Sequence, residues 1–143
     1  MAYADNITLV ASNSVSASVS ETAGTAVTGV DKYRRGNFVL ATSSGTGSGS
    51  FTLDCAIQAY VNGYWSDVAR FAQVTSGATE RILWDVGGTV GTSSTIEEAT
   101  QSLDITVGTK RAGPLGTQLR ARYTIVITGT YSFTWTVVGT MHS

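Results

Sequence analysis

The chain is predicted to be all-β, an antiparallel, jelly-roll-like β-sandwich of about eight short strands. Three observations predict this. Apolar residues recur with period two in segment after segment, the pattern of strands with one buried face. Those segments are separated by Gly-, Ser- and Thr-rich turns at the spacing of sandwiches and barrels. No stretch with helical periodicity competes with them.

Residues 1–19 hold Ile7 and Leu9, then Val15, Ala17 and Val19, in two thin strand patterns. The second is almost wholly Ser, Ala and Val, too slight for a core strand by itself. It is expected at a sheet edge, or paired with another protein. Residues 1–19 are therefore read as an N-terminal arm or edge strand, and residues 20–143 as a single β-sandwich domain. The segment from Asp31 to Gly36 packs Asp31, Lys32, Arg34 and Arg35 into a short turn, and a strand from Asn37 to Thr42 follows with Phe38 and Leu40 inward.

Ser43 to Ser50 lacks any apolar side chain and is expected to be a flexible, exposed loop. Next comes the clearest hairpin. Phe51, Leu53, Cys55, Ile57 and Ala59 share one face, and Asn62-Gly63 supplies the positive φ angles of a type I′ turn. Trp65, Val68 and Phe71 carry the returning strand. A Ser76-Gly77 turn leads to a strand bearing Ile82, Trp84 and Val86. A long loop follows, with one helical turn expected at Ile96 to Ala99, capped by Thr95. Leu103, Ile105 and Val107 resume the alternation. The end reads as a second hairpin: Leu119, Ala121, Tyr123, Ile125 and Ile127, a turn at Thr128-Gly129-Thr130, then Tyr131, Phe133, Trp135 and Val137.

At 143 residues one domain with a self-sufficient core is expected. Charged residues make up only 13%, about half the usual share, and Ser and Thr fill the gap. Such a surface suits a virion, secreted or adhesive protein better than a cytosolic enzyme. The net charge of -1 provides no field to draw the chain to nucleic acid or to an anionic membrane, so neither is expected as a partner. A basic segment followed by an apolar run, the mark of a signal peptide, is not seen at Met1.

Chemistry finds little to work with. Cys55 is the only cysteine and lies on the inward side of its strand, where a buried, inert thiol is expected. The only histidine, His142, sits at the C-terminal end, where fraying is expected. One His and one Cys do not assemble an ordinary metal site, and a Ser-His-Asp triad needs a rigidly held His. Glu97-Glu98 and the scattered aspartates read as solvated carboxylates. The glycine clusters precede strands and not helices, so they are no phosphate cradle. No catalytic, cofactor or metal residues are assigned, and the chain is not expected to be an enzyme.

The remaining candidates are contact residues. Arg34 and Arg35, with Arg120 and Arg122 two apart on one strand face, are candidates for a subunit interface, where Arg is favoured. Trp65, Trp84 and Trp135 are expected in the core. Tyr60 and Tyr64 flank Asn62-Gly63 and are the expected exposed turn aromatics.

Gly36-Asn37-Phe38-Val39-Leu40, the Gly/Ser loop, Gly63-Tyr64-Trp65-Ser66-Asp67-Val68 and Phe71-Ala72-Gln73-Val74-Thr75 together resemble the pattern of small head proteins of tailed bacteriophages. Within that group the chain most resembles the capsid decoration proteins. The resemblance spans roughly Gly36 to Gly77, and the two outer thirds match by composition alone. It implies a homotrimer on the outer capsid surface at threefold or quasi-threefold positions, bound to the major capsid protein and stabilising the shell. It also implies a capsid-binding arm, here carrying Tyr3, Ile7, Leu9, Val15 and Val19. The alternatives are a tail or connector structural protein, or a carbohydrate-binding or adhesion module.

Overall fold

The computed structural model describes residues 4–85, 110 and 116–143. Among them the chain forms eight strands and no helix: β1 (Ala4–Val15), β2 (Val19–Ala23), β3 (Val27–Thr28), β4 (Arg35–Thr42), β5 (Thr46–Val61), β6 (Tyr64–Arg70), β7 (Ala78–Asp85) and β8 (Gln118–His142). All the ladders are antiparallel, and the hydrogen-bonded path runs β6-β5-β8-β4-β7, with β1, β2 and β3 also on β8. The all-β, antiparallel expectation holds at this level.

The spine is β8. Its first part pairs with β5 from Gln118 to Ser132 and carries β2 and β3 as well. Its last part lies between β1 and β4. Twenty-five residues of straight strand would reach about 80 Å, far beyond a chain whose radius of gyration is about 15 Å. The strand must bend, and its side chains show how. Leu119, Ala121, Ile125, Phe133, Trp135, Val137 and Met141 are all buried, so one face stays inward along the whole length and the bend is concave toward the core.

Glycine makes the bend possible. Gly129 has φ +78°, and a Cβ there would meet Ser48 O at 2.5 Å; opposite it, a Cβ on Gly49 would meet Thr128 O at 2.0 Å, and two residues along one on Gly47 would meet Thr130 O at 2.2 Å. This corrects two expectations. Thr128-Gly129-Thr130 does not reverse the chain, because Ser48, Gly49 and Ser50 stay in register with Thr130, Gly129 and Thr128. For the same reason Thr46 to Ser50 is the start of β5 and not a loose loop: its glycines serve close backbone approach.

Residues 4–15 form β1. They pair with β8 of the same chain, from Ala4 opposite His142 to Val15 opposite Phe133. Leu9 and Val10 are buried, and Ile7, Val15 and Val19 pack on the core from its margin. The arm therefore finds its first partner within its own chain, and shares a core with the rest. His142, where a frayed end was expected, is the last residue of β8 and is backbone-paired with Ala4 and Arg35. The β5–β6 hairpin stands as expected, with φ +52° at Asn62 and +85° at Gly63. The expected helical turn at Ile96 to Ala99 and the strand at Leu103 to Val107 lie outside the described residues.

Candidate functional site

The outward face of β5, β6 and the first part of β8 carries the densest polar chemistry of the described residues. Register puts it there. Gln58 lies opposite Arg120 and Ala56 opposite Arg122, both away from the core face of β5. On the other side of β5, Ile57 pairs with Ala69 but Gln58 pairs with Asp67, so Val68 is an extra residue. That bulge lets Val68 bury inward while Asp67 comes level with Gln58.

The side chains then link across the strands. Gln58 Nε2 donates to Asp67 Oδ1 at 2.7 Å, and Arg120 Nε donates to Gln58 Oε1 at 2.9 Å. Gln58 and Asp67 are fully buried. Arg70 donates through both Nε and Nη2 to the two carboxylate oxygens of Asp54, a bidentate pair. That hydrogen bonding raises the Arg70 pKa above its ordinary value against the opposing effect of burial. Arg122 Nε lies 3.3 Å from Glu21 Oε1. These contacts join four strands through their outer surface, where alternation alone would have left solvated side chains.

Arg120 differs from its neighbours. Its guanidinium lies over the Trp65 ring, 4.0 Å from the centroid, and Trp65 in turn meets Tyr60 at 5.2 Å and 53°. Among the described residues no carboxylate forms an ion pair with Arg120, and its Nη2 is shielded without a hydrogen-bond partner. Burial first, and then the neighbouring Arg122 charge, lower its pKa.

The expected contact residues therefore divide. Arg120 and Arg122 share this face with Tyr60, which is half-buried against Trp65, while Tyr64 stands out at 52% exposure. Trp84 and Trp135 belong to the core, but Trp65 lies on the outer face, because the strand registers it with the polar side of β5. Arg34 and Arg35 are elsewhere, exposed at the start of β4 beside His142. Tyr3 lies outside the described residues. Gln58 and Asp67 were missed in the sequence, since a buried outer face cannot be told from a solvated one by period-two alternation. A Gln among Ala56, Ile57 and Ala59 was the one available signal.

A second polar contact secures the start of β1. Tyr33 is buried, and its hydroxyl donates to Asp5 Oδ2 at 2.6 Å while Lys32 Nζ lies 3.7 Å from the same oxygen. Burial, and then the bond to Asp5, raise the Tyr33 pKa. Cys55 is fully buried, and burial pushes its thiol well above the ordinary value. Among the described residues no group of three His, Cys, Asp or Glu is placed to hold a metal. No family model, curated protein or solved structure matches the chain.

Proposed function

We propose that this chain is a structural virion protein that binds the outer surface of a phage capsid and stabilises the shell, its strands closing as a jelly-roll-like sandwich. The observation that carries the reading is the outer edge of β1. Twelve residues long, it pairs on one side with β8 and with no strand on the other among the described residues. From Asn6 to Val15 it bears no charge. Natural edge strands are usually guarded by charge, as β7 is by Glu80 and Arg81. An unguarded edge fits a strand that meets another chain by backbone pairing. Bulges after Thr8 and after Val10 twist this edge, which favours a specific partner over indiscriminate stacking.

The partner in this reading is the major capsid protein, and three copies bind together at a threefold or quasi-threefold position. Shell reinforcement asks for many modest contacts that must break together, and three linked copies multiply them. The function is thus structural and not catalytic, it needs no cofactor, and its place is the virion surface. Co-sedimentation of the purified protein with heads that lack it, together with its native mass, tests the reading. Binding at saturating, symmetry-related stoichiometry is expected; protein left in the supernatant at all concentrations would overturn it.

A further inference from the structure

Tyr60, Trp65 and Arg120 come from three different strand positions, yet they build one cluster at the β5–β6 hairpin. The hairpin is closed by a two-residue turn, and Arg120 reaches it from the adjoining β8. Arg120 is oriented twice: its flat face rests on Trp65 and its Nε is bonded to Gln58. Gln58 is itself held by the buried Asp67. What remains is the Nη edge of the guanidinium, where Nη2 has no acceptor. Every other described arginine on this face, Arg70 and Arg122, already has a carboxylate.

We propose that the Tyr60–Trp65–Arg120 cluster is a docking site for a carboxylate side chain of a partner protein, Glu or Asp, with the acid on the Nη edge of Arg120. Charge complementarity selects this occupant. The arginine is half-buried beside a second arginine, and Asp67, the carboxylate whose charge acts on it, is already bonded by Gln58. A shielded donor with no acceptor is costly, and an incoming carboxylate oxygen recovers that cost. Reaching Nη2 takes a side-chain rotation of the kind common at interfaces. Tyr60 and Trp65 then pack on the methylene stem of the acid, and Tyr, Trp and Arg are the residue types that dominate contact energies. The proposal rests on the reading of the chain as one that binds another protein, and it adds a contact separate from the β1 edge.

The test begins without any partner. N-acetylglutamate is titrated into the 15N-labelled protein, and the Arg120 Nε–H and Trp65 indole N–H resonances are followed. Saturable shifts are expected, with a dissociation constant on the order of millimolar for one contact. N-acetylglutamine should leave both resonances in place, and Arg120→Gln should abolish the response. Arg120→Lys, which keeps the charge but loses the stacked planar fork, should weaken it and serves if the Gln variant does not fold. Absent shifts, equal shifts with N-acetylglutamine, or shifts with galactose in place of the acid would each overturn the proposal. In a second arm, Arg120→Gln should lower co-sedimentation with heads by about tenfold, a loss of roughly 1.4 kcal/mol. Wild-type protein that fails to sediment counts against shell binding, while the titration alone then decides the docking site.

Discussion

The rings of Tyr123 and Trp135 meet edge to face with centroids 4.7 Å apart, although both belong to β8 and twelve residues separate them. A straight strand would hold them about 40 Å apart. Their contact, with that of Phe51 stacked on Phe133 at 3.8 Å and 13°, means that the two parts of β8 close over a common core. Each aromatic pair adds about 0.5–1.5 kcal/mol beyond its buried area, and the Tyr123–Trp135 pair exists only because β8 bends between the two.

The bend makes the first prediction. Gly129→Ala places a Cβ 2.5 Å from Ser48 O in a left-handed conformation, whereas Gly63→Ala, also left-handed, meets nothing within 4 Å. Both variants carry the conformational strain of about 1–2 kcal/mol. Only Gly129→Ala adds a clash with backbone, so urea unfolding should show it clearly less stable than Gly63→Ala. Equal losses would mean that the ladder at Ser48 yields freely.

Stability should fall in alkali, and the sign follows from two buried acids. Burial raises the Cys55 pKa, so above about pH 9 the unfolded chain releases a proton that the folded chain retains. Each further pH unit then favours unfolding by up to about 1.4 kcal/mol. The raised Tyr33 phenol acts in the same direction from about pH 10 upward. Urea midpoints measured from pH 8 to 10.5 should drop for the wild type, less for Cys55→Ala, and least for Cys55→Ala combined with Tyr33→Phe. A flat wild-type profile would contradict the burial of both groups.

Gln58 bridges a buried acid and a half-buried base. Gln58→Ala removes the donor 2.7 Å from Asp67 and the acceptor 2.9 Å from Arg120. Hydrogen bonds to charged groups contribute about 1.5–3 kcal/mol each, so a loss of at least 2 kcal/mol is expected, roughly, by chemical denaturation. Thr52→Ala, on the same face but outside the network, should change stability by less than about 0.5 kcal/mol.

The β1 edge can be tested without removing it. Deleting residues 1–12 would take away Leu9 and Val10 from the core and so confuse binding with folding. Ala11→Lys combined with Ser12→Lys places charge on two exposed residues of the edge, the guard that natural edges use. The thermal midpoint should stay within a few degrees, roughly that of the parent, while co-sedimentation with heads is lost. Retained binding would shift the contact away from β1.

Much of this molecule was legible one residue at a time. Alternation marked Phe51 to Ala59 and Leu119 to Ile127 as strands with a buried side, because a strand sends successive side chains to opposite faces whatever surrounds it. Asn62-Gly63 announced its turn, because few other pairs accept two positive φ angles. Glycine carried no such single meaning. At Gly63 it reverses the chain, while at Gly129 and Gly47 it admits a neighbouring backbone, and only the ladder across from it tells which.

The sequence by itself determined the class of structure and most of the inward set of side chains. The tertiary structure alone decided that β8 is one bent strand, that β1 pairs at home, and that Arg120, Trp65 and Tyr60 form a cluster on a buried Gln58–Asp67 support. The physical reason is range. Local φ/ψ preference and period-two patterning act over a few residues, whereas register, bulges and the covering of an outer face depend on contacts between residues as distant as Gln58 and Arg120.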